Sequence, residues 1–208
     1  SALRRFSGTG VPVFAVNFGQ VGFLATIEPD QCQAGFARAF SGDYDLLRLP
    51  AVGIAAPGLR HHGINDVSIT RRPGGRVAVL SYLLGGEELG RVRCDGLVVS
   101  TPAGSTGYNL ANGGPVLAWG VEGYVVSFIA PHSLTARPLV VAPSDVLTIC
   151  NRSSGGEAVD VAVDGRPVGE LAPGDSLDCR FVSSASLLAQ VPGTTFYQRL
   201  REKFGHLV

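Results

Sequence analysis

Short apolar runs separated by turn residues dominate the middle of the chain, from about residue 44 to residue 182. The runs are 67–69, 77–84, 96–100, 124–129, 146–149 and 159–163, and Gly, Pro, Asn and Asp bound them. Gly85-Gly86 and Asp164-Gly165 have the composition of hairpin turns. Many short strands at this spacing predict an all-β domain, a sandwich or a related fold.

The first 28 residues have a different pattern. Residues 1–5, two glycines at positions 8 and 10, and the apolar run 11–16 predict a helix end, a turn and a strand. A strand that is apolar on both faces belongs inside a parallel α/β sheet. Because no later run looks like another strand of that sheet, we expect the main part of an α/β domain to precede Ser1.

Helical patterns occur at three further places. Residues 29–41 begin with Pro29 and carry four apolar residues on one predicted face, namely Ala34, Phe36, Ala37 and Phe40. A second helix is expected to start near Ser105 and to run towards Leu110. In the tail, Phe196, Leu200 and Phe204 are spaced four apart, which predicts an amphipathic helix that packs on the first strand or on the preceding domain.

Composition and charge exclude several classes of function. Of the 208 residues 45% are hydrophobic and 16% are charged, which is typical of a globular protein. Lys and Arg balance Asp and Glu at 17 each, so the chain has no electrostatic footprint for nucleic acid or for an anionic membrane. No apolar run is long enough to span a bilayer and residues 1–5 do not resemble a signal peptide. We therefore expect a cytoplasmic protein with neither kind of partner.

The four cysteines, Cys32, Cys94, Cys150 and Cys179, are far apart and include no C-x-x-C pair. Metal sites usually take two ligands from one short turn. Buried free thiols are therefore the expected state of these side chains, and we expect no protein-bound metal.

Residues 95–115 contain the most informative polar stretch. Here a predicted strand runs into a turn rich in Ser, Thr and Gly and then into a predicted helix. Hydroxyl and backbone N–H groups beside a helix start suit ribose hydroxyls, carboxamides or phosphates, and Tyr108 adds an aromatic ring with a polar end. The alternative is an ordinary helix start in a β domain, with Ser105 or Thr106 as the N-cap.

Three shorter stretches also carry polar groups. Asn65 and Asp66 stand side by side before a predicted strand, where they could bind a vicinal diol or form a simple Asx turn. His132 and Arg137 could reach a ligand or could hold a crossover loop. Asp164-Gly165 alone predicts only a hairpin turn.

The two histidines before Asn65, His61 and His62, have no ligand-spaced partners in the sequence. We expect them in a solvated loop.

Taken in this order, the polar stretches resemble the NAD kinase family over essentially the whole chain. The matching motifs are Asn17-Phe18-Gly19-x-x-Gly22-Phe23-Leu24, Asn65-Asp66, Asp95-Gly96, Ser100-Thr101-Pro102-x-Gly104-Ser105-Thr106-x-Tyr108, Gly113-Gly114-Pro115, Pro131-His132-Ser133-Leu134-x-x-Arg137-Pro138 and Asp164-Gly165. The resemblance implies transfer of the γ-phosphate of ATP, or of polyphosphate, to the 2′-hydroxyl of the adenosine ribose of NAD. It also implies Mg²⁺ or another divalent metal with ATP, and a homodimer or homotetramer.

The same resemblance implies an α+β domain plan. Residues 1–28 would end an α/β Rossmann-like domain with a helix end and its last strand. Residues 29–185 would form the all-β, sandwich-like domain for NAD binding and oligomerisation. Residues 186–208 would form a tail that packs back on the α/β part.

Roles for individual residues follow from the resemblance as expectations. Asn65 and Asp66 would hold the nicotinamide-side ribose, and Asp95 would lie near the nicotinamide end. Arg76 and Arg93 would reach the ligand, from a neighbouring subunit. The other expected NAD-binding residues are Thr106, Gly107, Tyr108, Asn109, Leu110, Ala111 and Arg166, with Phe23 and Leu24 near the adenine. Further candidates are Ser100, His132, Arg137 and Asp164.

The chain departs from the family pattern in four ways. It lacks the Gly-Gly-Asp-Gly motif that holds the ATP phosphates and supplies the general-base aspartate, so we expect that base upstream of Ser1 and an inactive chain. Gly107 replaces a common alanine, Ala111 a common serine, and Leu24 a residue that can be aromatic. The alternatives are a lipid kinase of the same superfamily, a non-catalytic dinucleotide-binding regulatory module, and a β-sandwich interaction domain without a ligand.

Overall fold

The structure is a computed structural model that describes residues 2–18, 22–25 and 27–205. The chain divides into two compact units, one of residues 50–183 and the other of the residues up to 49 together with those from 184 onward. The functional division expected from the sequence, 1–28, 29–185 and 186–208, stays a prediction.

Two β-sheets account for most of the described structure. In the first, the strands follow the order β3 (Leu59–Gly63), β2 (Asp45–Ala56), β13 (Ser176–Gln190), β10 (Leu147–Asn151), β5 (Ala78–Leu84) and β6 (Glu87–Cys94), and β1 (Pro12–Phe14) pairs with β13. In the second, the order is β12 (Arg166–Leu171), β11 (Val159–Val163), β4 (Asp66–Arg71), β7 (Gly96–Ser100), β8 (Tyr124–Ile129) and β9 (Leu139–Val141). All pairings of the second sheet are antiparallel.

The core of the unit 50–183 lies between strands of both sheets. On β11, Val159, Val161 and Val163 are buried while the residues between them are only partly buried, as expected for a strand with one face in a core. These valines share one apolar cluster with Leu80 and Ile149 of the first sheet. The mostly β, sandwich-like fold class is thereby confirmed.

The two predicted hairpin turns are also confirmed. Gly85-Gly86 joins β5 to β6, and Asp164-Gly165 joins β11 to β12. Asp164 and Gly165 have φ angles of 47° and 72°. Positive φ at both central positions is the geometry of a type I′ turn, which matches the twist of the two strands it joins.

The first strand does not lack a partner. β1 pairs in parallel with β13, with Pro12 opposite Leu187 and Phe14 opposite Ala189. The expectation that no later residues supply such a strand is therefore wrong. The reason is that β13 is 15 residues long and continues through a stretch of small and polar residues, Ser183, Ser184 and Ser186 among them, that does not look like a strand in the sequence.

The predicted helix near residue 29 exists as a 3-10 turn, Pro29–Gln31, followed by α2, Cys32–Ser41. Its predicted apolar face is wrong, because Phe36 and Phe40 are 53% and 90% exposed and the two alanines are exposed as well. Gly35 is the buried residue of this helix. A Cβ at position 35 would lie 2.7 Å from Cδ1 of Ile27, so the helix makes its close contact through a glycine.

Helix α4, Phe196–Phe204, confirms the helical tail. The rings of Phe196 and Phe204 pack on the ring of Phe23, with centroids 5.7 and 5.8 Å away. Arg199 of the same helix is buried and donates to the carbonyls of Gly22 and Ala25 at 2.9 and 2.7 Å. The tail therefore packs on the segment that follows the first strand. A short helix, α1 (Ala2–Arg5), opens the described chain.

His61 and His62 lie in a strand rather than in a solvated loop. Both belong to β3, where they are paired with Ile54 and Gly53 of β2. Pro57-Gly58 precedes β3 and closes this hairpin, so the sequence reading of a loop there is wrong. His61 is exposed, and His62 is partly buried.

All four cysteines are free; Cys94, Cys150 and Cys179 are buried and Cys32 is partly exposed. Of the described helices, none combines the length and apolar character that a membrane-crossing helix needs.

Candidate functional site

The turn between β3 and β4 presents Asn65 and Asp66, and Asp164 holds this turn from one side. The carboxylate of Asp164 accepts the backbone N–H groups of Ile64, Asn65 and Asp66 at 3.2, 2.8 and 3.3 Å. In return, the N–H of Asp164 donates to the carbonyl of Asp66 at 2.9 Å. The hairpin turn of β11 and β12 therefore fixes the backbone that carries both predicted ribose-binding residues.

The end of β7 holds the same turn from the other side. The N–H of Thr101 and the hydroxyl of Ser100 both donate to the carbonyl of Asn65, at 2.9 and 3.2 Å. The Thr101 hydroxyl donates to the carbonyl of Ile64 at 2.6 Å. Ser100 and Thr101 are fully buried, whereas Asn65 is exposed. The backbone of Asn65 is thus bound on both sides while its side chain remains open to solvent.

Burial raises the pKa of Asp66 to about 6, and the negative charge of Asp164 adds to the rise. An ionised carboxylate accepts hydrogen bonds only, while the protonated form donates one. Asp66 therefore changes between these two states in a range close to neutral pH. Once it is ionised, the Asp66 carboxylate can accept hydrogen bonds from a diol.

The Ser/Thr/Gly stretch after β7 is a turn rather than a helix start. The helix that follows it, α3, covers only Tyr108–Ala111, and its N-cap is Gly107 without a side-chain cap. Ser105, one of the two predicted N-caps, instead donates its hydroxyl to the carbonyl of Pro102 at 2.7 Å and accepts the N–H of Leu117 at 2.9 Å. The helix prediction is therefore wrong from 105 to 107, because this hydroxyl closes the loop instead.

The residues of α3 and the two residues before it differ in their exposure to solvent. Tyr108 is 41% exposed, Gly107 and Ala111 are exposed, and Thr106 and Leu110 are partly buried. Asn109 is fully buried, and its amide group donates to the carbonyls of Ser105 and Pro115 at 2.9 Å each. Asn109 therefore holds the loop together from inside, whereas Tyr108 lies on the surface.

A second polar group surrounds Asp95. Its carboxylate forms a two-point ion pair with Arg71, at 2.6 Å from Nε and 3.4 Å from Nη2. Arg71 holds the pKa of Asp95 below its ordinary value. Sequence reasoning missed Arg71. The antiparallel pairing of Thr70 with Gly96 puts Arg71 beside Asp95, and such a pairing cannot be read from either segment alone.

Arg76 and Arg93 line one cleft of about 710 Å³, together with Arg71 and the loop that contains Ser154 and Gly155. The backbone of Arg93 accepts the N–H of His132 at 2.7 Å. Within the described part of the chain, neither Arg76 nor Arg93 has a carboxylate within ion-pair distance. Glu157 also lines this cleft, so its lining carries three arginines against one glutamate and is net positive.

The predicted site residues of the unit 50–183 fall into two groups at opposite ends of β4 and β7. Asp66 is opposite Ser100 at one end, and Thr70 is opposite Gly96, next to Asp95, at the other. Four residue steps of a strand span about 13 Å. The structure thus brings Asn65, Asp66, Ser100 and Asp164 together, and it keeps Asp95 apart from them.

Arg137 and Arg166 complete the predicted set in this unit. Arg137 donates to the carbonyls of Leu134 and Ala136 at 2.9 Å each, which stabilises its own loop. Arg166 is exposed at the start of β12, directly after the Asp164-Gly165 turn.

Comparison with known proteins decides the family. The family model of the ATP-NAD kinase C-terminal domain matches residues 64–189. The NAD kinase of Gemmatimonas aurantiaca is 35% identical over 208 residues, which cover 97% of this chain and 72% of that protein. This chain belongs to the NAD kinase family.

Further NAD kinases and an NADH kinase are also similar to this chain. The NAD kinase of Rhodopirellula baltica is 31% identical over 97% of this chain and 66% of its own length. The crystal structure of yeast NADH kinase complexed with NADH superposes with a TM-score of 0.84, at 27% identity, over 99% of this chain and 62% of the yeast chain. An NAD kinase from Archaeoglobus fulgidus in complex with ATP gives 0.74 at 25% identity, over 93% of this chain and 72% of its own. The chain thus spans roughly two thirds of these NAD kinases.

The residues that match the NAD kinase family model, 64–189, include both polar groups described above. Phe23 and Leu24, predicted on the adenine side, lie outside the matched residues and in the other compact unit. There the ring of Phe23 is buried against α4.

Proposed function

We propose that this chain is the NAD-binding part of an NAD kinase, and that Asn65 and Asp66 bind the nicotinamide-side ribose of NAD. The observation that supports this role is the geometry of the 64–66 turn. Its backbone is held by Asp164, Ser100 and Thr101. The side chain of Asn65 is exposed, and among the described residues the Asp66 carboxylate forms no hydrogen bond, since its bond to Asp164 is made by the backbone N–H. An amide and a carboxylate on a fixed backbone can accept and donate to both hydroxyls of a diol.

Tyr108 and Thr106 would extend the same site along the dinucleotide. They lie in the loop and short helix that come after Thr101, and Tyr108 offers an exposed ring. Because Asn109 is buried and bonded within its loop, we assign it a supporting role and not a direct contact. Gly107 would allow the ligand to approach the backbone.

Arg76, Arg93 and Asp95 would act on a second NAD molecule, bound to a neighbouring subunit. Asp95 lies at the opposite end of β4 and β7 from the ribose pair, about 13 Å away along the strands. A homodimer or homotetramer built through the β domain would bring the two groups together. The positive cleft beside Arg76 suits the pyrophosphate of such a ligand.

The 208-residue sequence contains no Gly-Gly-Asp-Gly motif. We place the general base in a Gly-Gly-Asp-Gly segment upstream of Ser1, where it would take the proton of the 2′-hydroxyl as that oxygen attacks the γ-phosphorus and ADP leaves. Among the described residues no group of three or more His, Cys, Asp and Glu is arranged to hold a metal ion. We expect Mg²⁺ or another divalent metal to arrive with the ATP phosphates.

The test compares this 208-residue chain with a version extended upstream through the preceding coding sequence. NADP formation is measured with ATP and with polyphosphate as donors, and NADH is tested as a second acceptor because the yeast neighbour is an NADH kinase. The matched control replaces the aspartate of the upstream motif by asparagine. The proposal predicts NADP from the extended protein only, and loss of that activity in the control.

Two results would contradict the proposal. If the short chain alone formed NADP, the assignment of the base upstream of Ser1 would be wrong. If neither form made NADP while the short chain still bound NAD, a non-catalytic dinucleotide-binding module would replace the kinase.

A further inference from the structure

Asp164 occupies an unusual position for a residue of a hairpin turn. It lies between β11 and β12 with φ +47°, yet its carboxylate reaches a turn about one hundred residues earlier in the sequence, at residues 64–66. The pairing of Val163 with Val67 in neighbouring strands brings the two turns together. The pairing of β11 with β4 thus places Asp164 beside the predicted ribose-binding pair, Asn65 and Asp66.

Most of the accepting capacity of this carboxylate is already used. Oδ1 accepts the N–H groups of Asn65 and Asp66, and Oδ2 accepts that of Ile64. A carboxylate offers about four lone-pair positions, so three are committed to the turn. One accepting position, on Oδ2, remains, so most of this carboxylate serves the turn itself.

On the proposed function, we infer that Asp164 is a positioning residue, which orients Asn65 and Asp66 for the ribose through the 64–66 backbone and does not contact the dinucleotide. Bonds to three consecutive N–H groups fix the direction of the backbone at both side chains. A fixed backbone lowers the conformational entropy that ligand binding has to remove.

Asp164 also sets the charge environment of Asp66. β4, which carries Asp66, lies between β11 and β7, and the residue opposite Asp66 on β7 is the neutral Ser100. Residues 101–107 contain no charged side chain. At the turn between β11 and β12 the charged residues are Asp164 and the exposed Arg166, whereas Asp160 and Glu170 lie at the far end of these strands and pair with Arg72. Of these, Asp164 is the one that raises the pKa of Asp66. Removing the Asp164 charge therefore favours ionised Asp66 at lower pH.

The informative variant is Asp164→Asn. Asparagine tolerates the positive φ of this position, whereas alanine would add backbone strain. Asn also keeps one accepting oxygen, so the fold is retained while the charge and one of the three bonds are lost. Asp160→Asn is the matched control, since Asp160 lies on β11, the strand that leads into this turn, but its carboxylate pairs with Arg72 and its side chain is 44% exposed.

The experiment measures NAD affinity of the wild-type chain and both variants between pH 5 and pH 8, by calorimetry. Wild-type affinity should rise with pH through about 6, the pKa of Asp66. In Asp164→Asn the rise should move to lower pH, and at pH 8 the affinity should fall about three- to tenfold, the effect of one lost hydrogen bond. Asp160→Asn should match the wild type in both respects.

A second measurement, without ligand, separates positioning from direct contact. Amide hydrogen exchange at Ile64, Asn65 and Asp66 should be faster in Asp164→Asn than in the wild type and unchanged in Asp160→Asn. Loss of NAD affinity with unchanged exchange would mean that Asp164 contacts the ligand, which would overturn the inference. Unchanged affinity and pH midpoint would overturn it as well. If the wild type does not bind NAD at any pH, the proposed function fails first and the inference with it.

Discussion

Gly104 lies so close to Asn65 that a Cβ at position 104 would be 2.1 Å from the Asn65 carbonyl oxygen. That oxygen also accepts the N–H of Thr101 and the hydroxyl of Ser100. If the backbone at Gly104 or at Asn65 moved to make room for a Cβ, these hydrogen bonds would be lost. The turn after β7 and the turn before β4 are therefore fitted to each other, and a glycine makes the fit possible.

Replacement of Gly104 by alanine should displace Asn65. We expect the free energy of unfolding to fall by about 1–3 kcal/mol and NAD binding to weaken further than stability alone explains. Gly120→Ala is the control, because an added Cβ there would meet no heavy atom within 4 Å and its φ lies outside the left-handed region. It should change stability by less than about 0.5 kcal/mol. Urea denaturation measures the stability of both variants and calorimetric titration measures their NAD affinity. Equal effects of the two variants would contradict the fit.

Asp66→Asn should make the protein more stable at high pH. The pKa of Asp66 is raised from 3.8 to about 6 by folding, so between these values the folded state holds more protons than the unfolded state. The free energy of unfolding therefore decreases as pH rises through this range, by on the order of 3 kcal/mol in total. Asparagine does not titrate and removes this loss.

Urea denaturation at pH 3.5, 5 and 8 tests this prediction. The stability difference between Asp66→Asn and the wild type should grow in favour of the variant from pH 3.5 to pH 8. It should do so while NAD binding is weakened, which would mark Asp66 as a residue kept for binding at the expense of stability. A difference that does not depend on pH would refute the raised pKa of Asp66.

The sequence was sufficient for those features that depend on local pattern. The strands 96–100, 124–129 and 159–163 are found at their predicted bounds, because apolar runs and turn residues delimit them. The contact of Asp164 with the 64–66 turn, and that of Arg71 with Asp95, depend on which strands are neighbours. The face of α2 was mispredicted because the spacing of Phe36 and Phe40 says nothing about the close approach of Gly35 to Ile27.

Asn109→Ala should destabilise the loop 105–115. The buried amide of Asn109 donates to the carbonyls of Ser105 and Pro115, and both acceptors would lose that partner. We expect a loss of about 1–3 kcal/mol in the free energy of unfolding. Asn112→Ala removes a single exposed bond to the carbonyl of Tyr108 and should cost less than about 1 kcal/mol. The idea that Asn109 supports the loop would be abandoned if thermal and urea denaturation ranked the two variants equally.

Arg199→Ala should loosen the segment 22–25. Arg199 is buried, donates to the carbonyls of Gly22 and Ala25, and pairs with Glu202 at 3.2 Å. Its removal takes a buried donor from both carbonyls and from Glu202, although Gly22 keeps the N–H of Ala25 and Glu202 keeps the amide of Gln198. We expect about 1–3 kcal/mol lower stability. Arg201→Ala, on the exposed side of α4, should have an effect below about 0.5 kcal/mol. Hydrogen exchange at Phe23 and Ala25 should increase only in Arg199→Ala, and unchanged exchange there would speak against this contact.

The central claim is that the 64–66 turn binds the nicotinamide-side ribose of NAD. The most direct measurement is calorimetric titration of NAD at pH 8 into the wild-type chain and Asp66→Ala, with nicotinamide mononucleotide and AMP as competitors. The account predicts saturable binding, competition by nicotinamide mononucleotide, and at least tenfold weaker binding by Asp66→Ala, as expected for hydrogen bonds to a charged group. Binding by Asp66→Ala at wild-type affinity, or no binding of NAD by the wild type, would contradict it.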